Sequence, residues 1–138
     1  MKSVSDLVPK DKFDFSGMDA LRGLSEEEIA PVLPELLVWM KDMNWPVAGE
    51  MPALLAAHGE AVVPCIIEVL RPEQPECDWK YYIITALLPL LKEETLCRIR
   101  PCLERIADEP TPEERDEGAD VEAAELLAKK QCYKAKIV

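Results

Sequence analysis

A single histidine, five cysteines and four serines are the side chains from which most catalytic centres are built, and their placement here excludes most such centres. One imidazole, His58, supplies neither a histidine-rich zinc site nor a paired-histidine motif. The cysteines at 65, 77, 97, 102 and 132 form no C-x-x-C pair, so an all-thiolate zinc site lacks its ligand spacing. The serines at 3, 5, 16 and 25 lie in the first 25 residues, and none stands in a nucleophile elbow. Cysteine–histidine catalysis would need His58 to meet a thiol, and each cysteine has a core role open to it. His58 precedes Gly59 at the end of a helical pattern, where a cationic imidazole would serve the terminal carbonyls. Glycines at 17, 23, 49, 59 and 118 are too scattered to cradle a phosphate.

Two constellations remain. Nine acids and one base, Arg115, fall between Asp108 and Glu125. Acids in the first turn of a helix complement its dipole, which accounts for Glu113, Glu114, Asp116 and Glu117 as a solvated face. It does not account equally for Asp108, Glu109, Asp120, Glu122 and Glu125, and the sharper reading is a docking patch for a basic partner. A calcium loop lacks its alternating aspartates. Trp45 and Trp79 each open the second helix of a hairpin, beside Asn44 and Asp78. They serve as packing staples or, with Asp42 and Tyr81, form an aromatic–acidic recognition edge. The partner-binding candidates are therefore Asp42, Asn44, Trp45, Asp78, Trp79, Tyr81, Glu113, Glu114, Asp116 and Glu117. No catalytic residue, metal ligand or cofactor is assigned.

The chain that must position them has 138 residues and a net charge of -11, with 49% apolar and 31% charged side chains. That is the composition of one folded domain, spanning 1–138. The negative field repels nucleic acid and anionic lipid and attracts basic protein. The odd cysteine count, the thiols in apolar helical patterns, and the lack of a signal-like or membrane-spanning run point to the cytoplasm.

Periodicity predicts helices throughout. Residues 1–24 read as an arm held by Leu7, Val8, Phe13 and Phe15, with a short helix near Met18 to Leu21. Ser25 and Glu28 form a capping box that opens a helix through Met43. Pro46 starts a second helix that ends at Gly59 in a left-handed cap. A third runs from Glu60 to Leu70, residues 71–76 are a loop, and Asp78 caps a fourth. A fifth starts near Glu93; Thr111-Pro112-Glu113-Glu114 opens the last, whose apolar face is Val121, Ala124, Leu127 and Ala128. Residues 131–138 are a basic tail.

The pairs 25–58, 60–91 and 93–130 repeat. Each first helix contains a proline (Pro34, Pro64, Pro101), and each second helix a leucine pair (Leu54-Leu55, Leu87-Leu88, Leu126-Leu127). This pattern, with Asp120-Val121-x-Ala123-Ala124-x-x-Leu127, resembles the HEAT-like repeat family, although Glu122 stands where such repeats often carry arginine. The resemblance implies an all-α, right-handed stack of about three antiparallel helix pairs. The segments from Asp6 to Asp14 (DLVPKDKFD) and from Asn44 to Ala48 (NWPVA), and Glu104-Arg105-Ile106-Ala107 with Pro110-Thr111, resemble a small, mostly bacterial domain family of uncharacterised function.

The expected function is a non-enzymatic protein–protein interaction module, in a specific form an immunity or antitoxin-like inhibitor of a basic partner. The alternative is a carboxylate-based enzyme, with or without a divalent metal, whose melting temperature that metal would raise.

Overall fold

The computed structural model describes residues 3–130, and the basic tail at 131–138 lies outside them. Every regular element among the described residues is helical. Short α-helices cover Met18–Arg22 (α1), Glu26–Ile29 (α2), Leu33–Val38 (α3) and Met51–Ala57 (α4). Then follow Gly59–Val69 (α5), Cys77–Tyr82 (α6), Glu93–Asp108 (α7), Pro112–Asp116 (α8) and Ala119–Lys130 (α9).

Local chemistry explains where these helices start. The Ser25 hydroxyl accepts from the Glu28 N–H at 3.2 Å, and the Ser25 N–H donates to the Glu28 carboxylate at 2.9 Å, closing the expected capping box. Thr111 and Glu114 repeat the device at 2.9 and 3.1 Å, with Pro112 at the first helical position. Pro46 opens a 3-10 turn, Pro46–Glu50, that feeds α4.

Proline also decides where they break. The helix expected from Ser25 to Met43 is divided into α2, a 3-10 turn at Ala30–Val32, α3, and a second 3-10 turn at Trp39–Lys41. Pro31 and Pro34 cannot donate in a continuous ladder, so the chain restarts at each. Pro34 therefore sits in the first turn of α3, where no donor is missed, while Pro64 and Pro101 lie within α5 and α7. All three rings are exposed. After α6 the chain widens into a π-helical turn at Ile83–Leu87. The Thr85 hydroxyl donates to the Tyr81 carbonyl at 2.9 Å, competing with the backbone at that turn.

The core runs through all the helices. Leu36, Leu55, Ile66, Ile83, Leu87 and Ile99 are fully enclosed. Contacts pass from α3 to α5 to α7 to α9, and separately from α4 to the Ile83–Leu87 turn to α9, with α4 also touching α3 and α5. The leucine pairs contribute as expected at Leu54-Leu55 and Leu87-Leu88, while at the third pair only Leu126 is buried. No single helix among the described residues is long and apolar enough to cross a membrane.

Several expectations are corrected. Phe13 and Phe15 do not hold the arm; they are 66% and 45% exposed. Val8 is buried in the core and Leu7 packs against it, as expected, and backbone adds a further hold, the Val47 N–H donating to the Lys12 carbonyl at 2.9 Å. The arm also passes so close to Gly17 that a Cβ there would lie 2.2 Å from the Leu7 carbonyl oxygen. Asp14 organises the turn between, taking the Ser16 hydroxyl at 2.5 Å and the Lys10 N–H at 2.9 Å, and these bonds hold its carboxyl down to about 2. Gly59 is not a left-handed cap but the first residue of α5, because His58 alone makes the corner between α4 and α5. Asp78 lies inside α6, whose cap position is Glu76. On α9 the buried face is Ala119, Ala123 and Leu126, and Val121 is exposed.

The last helix is also interrupted. Gly118, with φ +83, separates α8 from α9 and turns the chain between them. A β-carbon is strained in that conformation, so Gly118→Ala should lower stability by roughly 1–2 kcal/mol. A urea midpoint unchanged from wild type would show that the turn tolerates a side chain.

Candidate functional site

Helical spacing places Cys77, Lys80, Ile84 and Leu87 on one stripe, and the structure buries all four. A lysine there needs a counter-charge, since an unpaired ammonium is costly to bury. Glu114 supplies it. The Lys80 ammonium donates to Glu114 Oε2 at 2.5 Å and to the Arg71 carbonyl at 2.8 Å, with both side chains fully enclosed. Arg105 of α7 adds a two-pronged contact to the same carboxylate, at 2.5 and 2.9 Å, and donates to the Leu70 carbonyl at 2.8 Å. With the Thr111 N–H, Glu114 accepts four hydrogen bonds. Burial pushes its carboxyl up, but the bonds from Arg105 and Lys80 outweigh it and hold the group at about 2.

This buried triad corrects one sequence expectation and explains another. Glu114 is no part of an exposed patch. Because it points inward, Glu113, Asp116 and Glu117, its neighbours on a short helix, all face solvent. They meet the start of α6 across a cleft of about 370 Å³ that also includes Glu76, Asp78, Lys41 and the edge of Trp79. The cleft is strongly acidic, with five carboxylates around one ammonium. A hydrogen bond to Asp78, and then that carboxylate's charge, push Glu117 above its ordinary range.

Trp79 forms a wall of the cleft. Its ring is 7% exposed, its indole N–H donates to the Leu37 carbonyl at 3.0 Å, and the Lys41 ammonium lies 4.7 Å from its centre. Lys41 is in turn 3.1 Å from the Glu76 carboxylate. The thiol of Cys77, which also lines the cleft, is pushed up by burial and by the charges of Glu114, Glu113 and Glu117, against the pull of Lys80. It is held protonated and is a poor nucleophile.

The remaining candidates lie elsewhere. Asp42, Asn44 and Trp45 build their own corner, where the Asn44 N–H donates to the Asp42 carboxylate at 2.9 Å. Trp45 is half-buried and packs edge-on against Trp39, 5.4 Å between ring centres. Both rings belong to the pair 25–58, so this contact lies within one hairpin and is not a staple between hairpins, and none of the three lines the cleft. Tyr81 packs edge-on against Tyr82 at 5.8 Å and lies beside Gly118. The single recognition edge expected from sequence is thus divided, with Asp78 and Trp79 joined to Glu113, Asp116 and Glu117. His58 is buried, and its Nδ1 has no hydrogen-bond partner among the described residues, so that nitrogen does not serve the terminal carbonyls. Among the described residues no group of three or more His, Cys, Asp or Glu side chains is arranged to hold a metal ion.

Sequence reasoning missed Lys80, Arg105, Lys41 and Glu76. A signal existed for the first, since Lys80 interrupts an otherwise apolar stripe.

The family model described as Domain of unknown function (DUF5071) matches residues 7–127. The chain belongs to the DUF5071 family. The match runs from the arm into α9, so it contains every residue of the acidic cleft and of the triad behind it. No curated protein matches this DUF5071 chain.

Proposed function

We propose that this DUF5071 domain is a non-enzymatic protein-interaction module that binds a basic partner protein in the cytoplasm, in the manner of an immunity or antitoxin-like inhibitor. The observation that carries this reading is the acidic cleft, in which Asp78 and Trp79 of α6 face Glu113 and Asp116 of α8 and Glu117 at its end. Aromatic walls and buried, hydrogen-bonded supports are the features that make an interface site strong. The succession of contacts from α3 to α5 to α7, with α4 and α9 bridged by the Ile83–Leu87 turn, supports a HEAT-like right-handed stack of antiparallel pairs.

The test reverses the cleft without touching its foundation. Affinity capture from cell lysate at low salt supplies the partner. Glu113→Lys, Asp116→Lys and Glu117→Lys together, with Glu114 left in place, should then slow its association by about tenfold at low salt. The difference should shrink at about 0.3 M salt, where surface charges are screened within several ångströms. An on-rate equal to wild type at low salt, with helical content intact, would remove the cleft from this role.

A further inference from the structure

An apolar groove of about 430 Å³ shares Trp79 with the acidic cleft as part of its lining. Its walls are Leu37 and Val38 of α3 and Pro64, Cys65 and Val69 of α5, and the Trp79 ring closes one side. Pro34 and Pro64 stand exposed along its rim. Cys65 is half-buried and burial pushes its thiol up, so it presents a neutral, apolar surface. Val38 is 41% exposed, unusual for a large apolar side chain beside fully buried neighbours such as Leu36 and Leu37.

Trp79, common to the groove and the cleft, donates to the Leu37 carbonyl and carries Lys41 over its ring. We infer that groove and cleft form one binding surface for a basic amphipathic segment of the partner, with apolar side chains between α3 and α5 and a lysine or arginine beyond Trp79 in the cleft. Charge complementarity selects this occupant. A purely apolar ligand would leave the carboxylates of the cleft beside it unanswered, whereas a cation adjoining the apolar residues would lie among Asp78, Asp116 and Glu117. A second copy of this chain is a poor occupant, because its net charge of -11 would face the same acidic rim. Grooves that take the apolar face of an amphipathic segment are a recurrent mode of peptide recognition, with basic flanks fixing direction.

This inference rests on the interaction-module reading and names the partner chemistry that reading leaves open. The test selects short random peptides, displayed in vitro, on the intact chain and measures the enriched peptides by fluorescence anisotropy. Enriched peptides should combine two or more apolar residues with adjacent lysine or arginine. Val38→Glu should weaken them by about tenfold or more, the effect of placing a charge against an apolar anchor. Val38→Ala should weaken them less, and Asp116→Lys chiefly at low salt. Circular dichroism should be the same for all variants, because both positions are exposed. Failure to enrich any peptide, enrichment of peptides without basic residues, or indifference to Val38→Glu would overturn the inference. So would a wild-type dimer in sedimentation that Val38→Glu dissolves, which would make a second copy the occupant. A captured partner that responds to reversal of the cleft but not to Val38→Glu would sink the groove alone and leave the interaction module standing. Indifference to both changes would remove the groove and the cleft together.

Discussion

Glu114→Gln should lower the stability of the domain by about 3–5 kcal/mol, the loss expected when one partner of a buried ion pair is removed. Glutamine is the informative replacement because it can still close the capping box with Thr111, so what is lost is mainly the charge. The cost arises on the other side of the bond. Lys80 is fully buried, and without Glu114 its ammonium keeps only the Arg71 carbonyl at 2.8 Å. Arg105 is partly exposed and can turn to water, so its share should be smaller. The loss should appear as a fall in melting temperature of about 10 °C or more. A second substitution identifies the cause, since Lys80→Met in the Glu114→Gln background should recover part of the loss by removing the orphaned charge. A drop of less than about 1 kcal/mol, the range of a surface pair, would show that water reaches the triad.

The same carboxylate predicts a pH dependence. Its folded value of about 2 lies below the ordinary 4.5, so its contribution is fully present above about pH 4.5 and is lost as the pH falls towards 2. The difference in stability between wild type and Glu114→Gln should therefore be constant near neutrality and close on acidification through that window. Urea titrations at pH 7, 5 and about 3 would measure it. A difference that stays constant down to pH 3 would contradict the depressed value.

Trp79→Ala should cost a comparable 3–5 kcal/mol and abolish partner binding as well. The ring is nearly buried, gives its N–H to the Leu37 carbonyl and carries Lys41 on its face, so truncation opens a void and frees two groups at once. Trp79→Phe separates these roles. It retains an aromatic wall between cleft and groove but leaves the Leu37 carbonyl without its donor, which should cost about 1–3 kcal/mol. Binding by Trp79→Phe should remain within a few-fold of wild type, while Trp79→Ala should bind neither a basic partner nor a basic amphipathic peptide. Retention of full affinity by a folded Trp79→Ala would show that the two halves of the surface do not depend on the ring.

The helical class, the helix starts at Ser25, Pro46 and Thr111, and the loop at 71–76 were all legible from sequence. Each depends on residues within one turn of one another, such as a hydroxyl and a carboxylate three positions apart, or a ring that removes an N–H. The same local logic failed where a third element intervened. Val121 and Ala124 fit an apolar stripe on α9, yet contacts with α7, α6 and the Ile83–Leu87 turn select the face of Ala119, Ala123 and Leu126 instead. Asp42, Asn44 and Trp45 share a local pattern with Asp78 and Trp79, but Trp45 packs on Trp39 and the two patterns serve different corners.

The candidate site shows the division most clearly. Sequence alone determined that the acids at 113–117 begin a helix and that Asp78 and Trp79 begin another, because capping and helical period act between near neighbours. It could not determine that Glu114 turns inward while Glu113, Asp116 and Glu117 turn out. That choice belongs to Lys80 and Arg105, which reach Glu114 from 34 and 9 residues away. A carboxylate is buried only where opposite charges and hydrogen bonds converge on it, and such convergence exists only once α6, α7 and α8 are packed together.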